Sequence, residues 1–137
     1  MIEDMVRTVA TLDQLRELGV GVLIDDFGSG YSSLRYLREL LVAGVKLDRS
    51  FVRGLEMDPG AQAIVTGIVA LAHAIGLSVT AEGVETAGQL ALIRAIGCDE
   101  GQGFYLARPM PTFAARETLR VEVLVDSPWA MTMAFPA

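Results

Sequence analysis

Two adjacent carboxylates, Asp25 and Asp26, stand where the apolar run Val22 to Ile24 stops and the Gly-rich turn Gly28-Ser29-Gly30 approaches. Carboxylates at the carboxyl end of a buried parallel strand face a solvent-accessible rim, and glycines let the backbone turn sharply beside them. Two hard oxygen donors at that rim suit a divalent cation. Capping of the turn or of the next helix is the rival use, a better account of one aspartate than of two. Lys46 alternates with Val45 and Leu47. If those two pack outward against helices, Lys46 and Asp48 point inward. A buried lysine needs acidic company, either in a structural ion pair with Asp48 or another carboxylate, or as part of a site. Glu82 follows a third apolar run and Glu85 lies three positions on, so one short loop brings both to the rim. Glu85 is equally well read as an exposed first-turn glutamate favoured by a helix dipole. Gln102, between Gly101 and Gly103, is either a hydrogen-bonding group near a ligand or a turn residue.

Other features carry less chemistry. Gly28-Ser29-Gly30 is too short and wrongly continued for a dinucleotide fingerprint or a P-loop. His73 has no second histidine and sits among Leu71, Ala72 and Ile75, which reads as an ordinary helix position. The single cysteine, Cys98, cannot form an internal disulfide; it reads as a small core residue and fits a reducing, cytoplasmic setting. A net charge of −6 argues against a nucleic-acid polymer, whose affinity comes from Lys and Arg neutralising phosphates. A small phosphate ligand stays open, because divalent cations can sit between it and an acidic pocket.

The elements that must hold these residues follow from periodicity. With 137 residues, 52% of them hydrophobic, the chain reads as one domain or part of one, apolar enough to bury a core. No apolar stretch approaches the roughly 20 residues that span a bilayer, and the N-terminus, alternating charged and apolar residues, shows no signal peptide. Met5, Val9, Leu12, Leu15 and Leu18 recur at helical spacing and Gly19 closes that helix. Gly21 to Ile24 is then a short strand. Ser32 or Ser33 caps a helix over Leu34 to Leu41, ended by Gly44, and Val45 to Asp48 is a second strand. Pro59 opens a helix with Ile64, Ile68, Leu71 and Ile75 on one face, and Leu77 to Ala81 is a third strand. Thr86 caps a helix carrying Leu90, Ile93 and Ile96, Gly97 stops it, and a strand centred on Gly103 to Leu106 leads to a last helix from Pro111 to about Leu119.

Helix and strand alternating through four cycles imply right-handed βαβ units and a parallel sheet, an α/β fold. The polar candidates fall on or just after the strands, as in a (β/α)8 barrel whose chemistry sits at the carboxyl ends. Four strands do not close such a barrel, which has eight strands and typically about 250 residues. The expectation is therefore half of a TIM-type barrel.

The motifs Asp25-Asp26-Phe27-Gly28-Ser29-Gly30-Tyr31-Ser32-Ser33-Leu34, Lys46-Leu47-Asp48-Arg49-Ser50-Phe51-Val52, Ala81-Glu82-Gly83-Val84-Glu85-Thr86, Gly101-Gln102-Gly103-Phe104-Tyr105 and Arg108-Pro109-Met110-Pro111 occur in that order. Together they resemble the EAL domains, bacterial cyclic di-GMP phosphodiesterases, over about residues 1–113. The resemblance implies a TIM-type barrel, here its C-terminal half, holding two divalent cations, Mg2+ or Mn2+, and hydrolysing cyclic di-GMP to the linear dinucleotide pGpG. It implies that Asp25 and Asp26 bind metal, that Lys46 contacts the catalytic water or the substrate phosphate, and that Glu82 is a metal ligand or general base. Glu85, Gln102, Asp48 and the Gly28-Ser29-Gly30 turn would support the site or the substrate; Ser29 replaces a commoner threonine.

The family's Glu-Ala-Leu signature, its asparagine and its Thr-Glu motif, all metal-binding, do not occur in these 137 residues. The expectation is thus a truncated domain, inactive alone, whose open sheet edges call for a partner: a second copy or the N-terminal half of the barrel. A non-catalytic module binding cyclic di-GMP or a protein is the alternative. Residues 114–137 are expected to finish the last helix and then diverge from the family.

Overall fold

The structure is a computed structural model and describes residues 2–28, 37 and 40–122. Helix α1 (Ile2–Glu17) precedes strand β1 (Leu23–Phe27); β2 (Gly44–Leu47) leads into a short helix α2 (Arg49–Arg53) and a long one, α3 (Pro59–Ala74). Strand β3 (Ser78–Glu82), helix α4 (Ala87–Ile96), strand β4 (Glu100–Gln102) and helix α5 (Thr112–Glu122) complete the order. The four strands form one parallel sheet in the order β1-β2-β3-β4. This is the expected α/β succession with parallel strands and flanking helices. No helix among the described residues is long and apolar enough to cross a membrane.

Alternation along the strands assigns their two faces. Val45 and Leu47 on β2 and Val79 and Ala81 on β3 are in register and almost wholly buried, under a helical layer contributing Val52, Val65, Val69, Ala72 and Ile93. Burying each Val or Leu contributes about 1.5–3 kcal/mol. The residues between them, Lys46 with Thr80 and Glu100 in register, then Glu82 with Gln102, belong to the opposite face. That inner face is polar, and Thr80 Oγ1 donates to Glu100 Oε2 across it at 3.0 Å.

Helix ends obey local chemistry. Asp58 accepts the Gly60 N–H at 2.8 Å ahead of Pro59, the first residue of α3. Thr86 and Gln89 form a reciprocal capping box on α4, and Gly97 leaves that helix at φ 95°. Gly19, at φ 77°, closes the turn after α1, as expected, although Leu18 lies beyond the helix and is 78% exposed.

Several boundaries differ from expectation. Strand β1 runs over 23–27 rather than 21–24, so both aspartates belong to the strand. Strand β4 ends at Gln102, before the expected 103–106, because the chain turns at Gly103, whose carbonyl accepts from Leu106 and Ala107. Helix α3 buries Val65, Val69 and Ala72, while Ile64, Leu71 and Ile75 are 55%, 40% and 40% exposed. That helix is apolar nearly all round, so periodicity alone does not select a face, and the smaller stripe permits the closer approach to the sheet. Helix α2 was not expected from periodicity. The helix expected over Leu34–Leu41 lies largely outside the described residues, as do Ser29, Gly30 and residues 123–137.

Candidate metal centre

Adjacent residues on a regular strand point to opposite faces, so Asp25 and Asp26 could not share a site without a local irregularity. The irregularity is present. Pairing of β1 with β2 shifts register between Ile24 and Phe27, a bulge, and Asp26 takes φ 49°, the one positive φ outside glycine among the described residues. Left-handed backbone is cheaper for aspartate than for most residues, but it still costs energy that the surroundings must offset. The Asp26 N–H donates to Asp25 Oδ1 at 3.1 Å, which holds the kink from within.

The bulge brings Asp25 and Asp26 to Glu82, the last residue of β3: one carboxylate oxygen from each of the three lies within 4.8 Å of the others. Two strands away from one another in the sheet, β1 and β3 reach this point over β2, whose Lys46 stands between them. The Lys46 ammonium contacts Glu82 Oε1 and lies 3.3 Å from Asp25 Oδ1. Lys46 and Glu82 side chains are about one-fifth exposed, that of Asp25 two-thirds. Burial pulls the Lys46 pKa down, but hydrogen bonding and charge attraction from Glu82 and then Asp25 outweigh it and hold the group above its ordinary value. The lysine therefore stays charged at neutral pH, and this one ammonium contacts two of the three clustered carboxylates.

The donor set fits a hard divalent cation. Carboxylate oxygens from separate strands, close enough to share an ion and left partly open to solvent, are what coordination of such a cation requires. Gln102 reinforces the reading: Oε1 is fully buried and without a hydrogen-bond partner, an acceptor on the same inner face as Glu82.

The remaining sequence candidates are placed differently. Asp48 accepts the Ser50 N–H at 2.9 Å and caps α2; hydrogen bonding from the Ser50 hydroxyl first, and from that N–H second, holds its carboxyl below the usual carboxylate range. Lys46 thus finds its acidic partners in Glu82 and Asp25. Glu85 is exposed, and its N–H donates to Gln89 Oε1 at 2.7 Å. Gly28, at φ 97°, lies over the Phe51 ring, where a Cβ would come within 2.4 Å of a ring carbon. His73 stands apart at the other end of the sheet, its Nε2 2.8 Å from Asp99 Oδ2. Sequence reasoning missed Gln89, buried and fixed on the loop after Glu82; its spacing from Thr86 is the signature of a capping box.

Residues 1–109 match the family model described as "EAL domain". The chain belongs to the EAL domain family. It is 44% identical over 110 residues to a cyclic di-GMP phosphodiesterase of Pseudomonas aeruginosa, covering 80% of this chain and 19% of that protein. It is 46% identical over 110 residues to the bifunctional diguanylate cyclase/cyclic di-GMP phosphodiesterase MucR of the same organism, covering 80% and 16%. Among solved structures, the PaMucR phosphodiesterase in its c-di-GMP complex superposes with a TM-score of 0.72 at 47% identity, over 78% of this chain and 43% of that one. The EAL domain of Mycobacterium smegmatis DcpA gives 0.82 at 43% identity, over 86% and 53%. This EAL chain thus spans under a fifth of the two curated relatives and about half of the solved domains, which are TIM-type barrels.

Proposed function

We propose that this EAL chain supplies one half of the catalytic face of a phosphodiesterase that hydrolyses cyclic di-GMP to pGpG with Mg2+ or Mn2+. The observation that carries the reading is the convergence of Asp25, Asp26 and Glu82, from two strands, around the Lys46 ammonium. When bound, a pair of such cations supplies charge neutralisation at the phosphodiester and a water acidic enough to attack it. Asp25, Asp26 and Glu82 provide the oxygen donors. Lys46, kept charged by its acidic neighbours, offers a fixed positive group to the non-bridging phosphate oxygens or to the attacking water. In this reading Glu82, which contacts the Lys46 ammonium, accepts the water's proton. Gln102, in register with Glu82 on the same inner face, is read as a supporting residue of the nucleotide site.

Three carboxylates are few for two octahedral cations, so the 137 residues by themselves are expected to bind metal weakly and to turn over slowly or not at all. In this reading β1 and β4, the outermost strands among the described residues, take up further strands, from a second copy or from the N-terminal half of the barrel. A cytoplasmic site of action goes with the substrate. The test is incubation with cyclic di-GMP and Mg2+ or Mn2+, with pGpG followed by chromatography. Turnover lost in Asp25→Ala supports hydrolysis by the chain itself; binding without turnover assigns it a receptor role; absence of both, alone and with the complementary half-barrel, overturns the reading.

A further inference from the structure

Glu82 ends its strand, and nothing in β3 itself fixes where the following residues go. The loop after it is held by a side-chain network. Gln89, on the first turn of α4 and 5% exposed, accepts with Oε1 from both the Glu85 N–H at 2.7 Å and the Thr86 N–H at 3.2 Å. Thr86 Oγ1 accepts in return from the Gln89 N–H at 3.0 Å and donates to Glu56 Oε2 at 2.8 Å. Glu56 belongs to the connection between α2 and α3, and its other carboxylate oxygen lies so close to Gly88 that a Cβ there would collide with it at 2.0 Å. Between Glu82 and this network, Val84 donates to the Gln102 carbonyl.

We propose that Gln89, seconded by Glu56 through Thr86, is a positioning residue for the cation site: it locks the 83–86 loop and thereby the direction in which Glu82 presents its carboxylate. The inference rests on the reading of Asp25, Asp26 and Glu82 as a cation site. It goes beyond an ordinary helix cap because one buried carbonyl ties down two consecutive loop amides, those of Glu85 and Thr86, where a cap needs only one. Groups hydrogen-bonded directly to metal ligands typically change metal affinity by about 10–100-fold when removed; Gln89 acts one step further out, through the loop, so the lower end of that range applies.

The test titrates the 137-residue chain with Mn2+ alone, reading paramagnetic broadening of the Asp25, Asp26 and Glu82 signals, alongside amide exchange at Glu85 and Thr86 in the metal-free chain. Gln89→Met, of similar volume but without an acceptor, is expected to weaken Mn2+ binding at least about tenfold and to speed exchange at both amides. Gln89→Glu, which keeps an acceptor oxygen in place, is expected to stay within about threefold of the parent chain. A Gln89→Met chain that melts earlier yet binds Mn2+ with parental affinity overturns the proposal, since a purely structural cap would do that. Should Gln89→Met not fold, the exposed Glu56→Ala decides by the same titration: weaker Mn2+ binding supports the proposal and parental affinity overturns it. A parent chain that shows no Mn2+ broadening at millimolar metal, either alone or with the complementary half-barrel, overturns the cation-site reading itself, and this proposal with it.

Discussion

Replacing Gly103 by alanine tests how the two halves of the inner rim are joined. A Cβ at this position would stand 2.1 Å from the Val84 carbonyl oxygen, 2.3 Å from its nitrogen and 2.7 Å from its carbonyl carbon. All three are backbone atoms of a residue with no exposed surface, so no side chain can rotate out of the way. Ordinary contact begins at 3.4 Å, so the segments after β3 and β4 must part by more than about 1 Å. Two hydrogen bonds span that gap, Val84 N–H to the Gln102 carbonyl and Tyr105 N–H to the Val84 carbonyl, each 3.0 Å long. Losing both costs about 1–3 kcal/mol and the overpacking about 1–3 more. The expected loss is thus about 2–6 kcal/mol, against the 5–15 kcal/mol that hold a typical domain together. Gly67→Ala is the internal control. Gly67 lies inside α3 with nothing within 4 Å of its would-be Cβ, so the same chemical change should stabilise by about 0.5–1 kcal/mol. Urea titration followed by circular dichroism measures both. A Gly103→Ala chain within 0.5 kcal/mol of the parent would refute the reasoning, because ~2 kcal/mol is the smallest loss the contacts allow.

Other outcomes follow from burial and charge. Val65→Ala should cost about 1.5 kcal/mol, at roughly 0.8 kcal/mol per buried carbon, whereas Ile64→Ala, at a 55% exposed neighbour, should cost clearly less in the same urea titration; the reverse order would mean α3 presents its other face. Lys46 has its folded pKa raised, so its contribution is whole below about pH 10.4, the value expected when unfolded, and is lost as pH rises through the folded value. Thermal melts of Lys46→Met and the parent should therefore differ by a constant amount from pH 7 to about 10.4 and begin to draw together only above it. The Cys98 thiol, 4% exposed and pushed up to about 12 by burial first and the nearby Asp99 charge second, should react with iodoacetamide at pH 8 about a thousandfold more slowly than free cysteine, and at the free rate in urea.

The elements most readable from sequence were those written in capping chemistry. Pro59, Thr86 and the glycines at 19 and 97 mark helix ends by local physics that tertiary contacts do not override. The parallel α/β order was readable for the same reason, since each strand is a short apolar run between such ends. What periodicity missed depends on contacts distant in sequence. The face of α3 is chosen by what the sheet has room for, and β4 ends early because Gly103 meets Val84, nineteen residues away. Asp48 looked inward by alternation from Lys46, but the strand stops at Leu47, and the first residue outside it serves the next helix. Four site candidates, Asp25, Asp26, Lys46 and Glu82, were identified by residue type and position at strand ends; their convergence depended on a bulge that no periodic reading anticipates.

That bulge is the reason a pair of aspartates, and not a single one, stands at the end of β1. A regular strand would deliver one carboxylate to the inner face and bury the other against the helices, where an unpaired charge is costly. Shifting register between Ile24 and Phe27 lets both carboxylates reach the inner rim and still returns Phe27, 5% exposed, to the core opposite Leu47. The strain at Asp26 is thus placed between two ordinary anchor points of the sheet, which hold it whether or not a cation is bound. Lys46 supports the same arrangement by electrostatics: three carboxylates within 4.8 Å repel one another, and the ammonium beneath them offsets part of that repulsion. In the proposed reading, a site preorganised in this way would need little rearrangement to accept a divalent ion, and the ion would in turn relieve the repulsion that one lysine leaves over. Strain and repulsion concentrated at one rim of an otherwise conventionally packed sheet are what a site built to bind charge would be expected to carry.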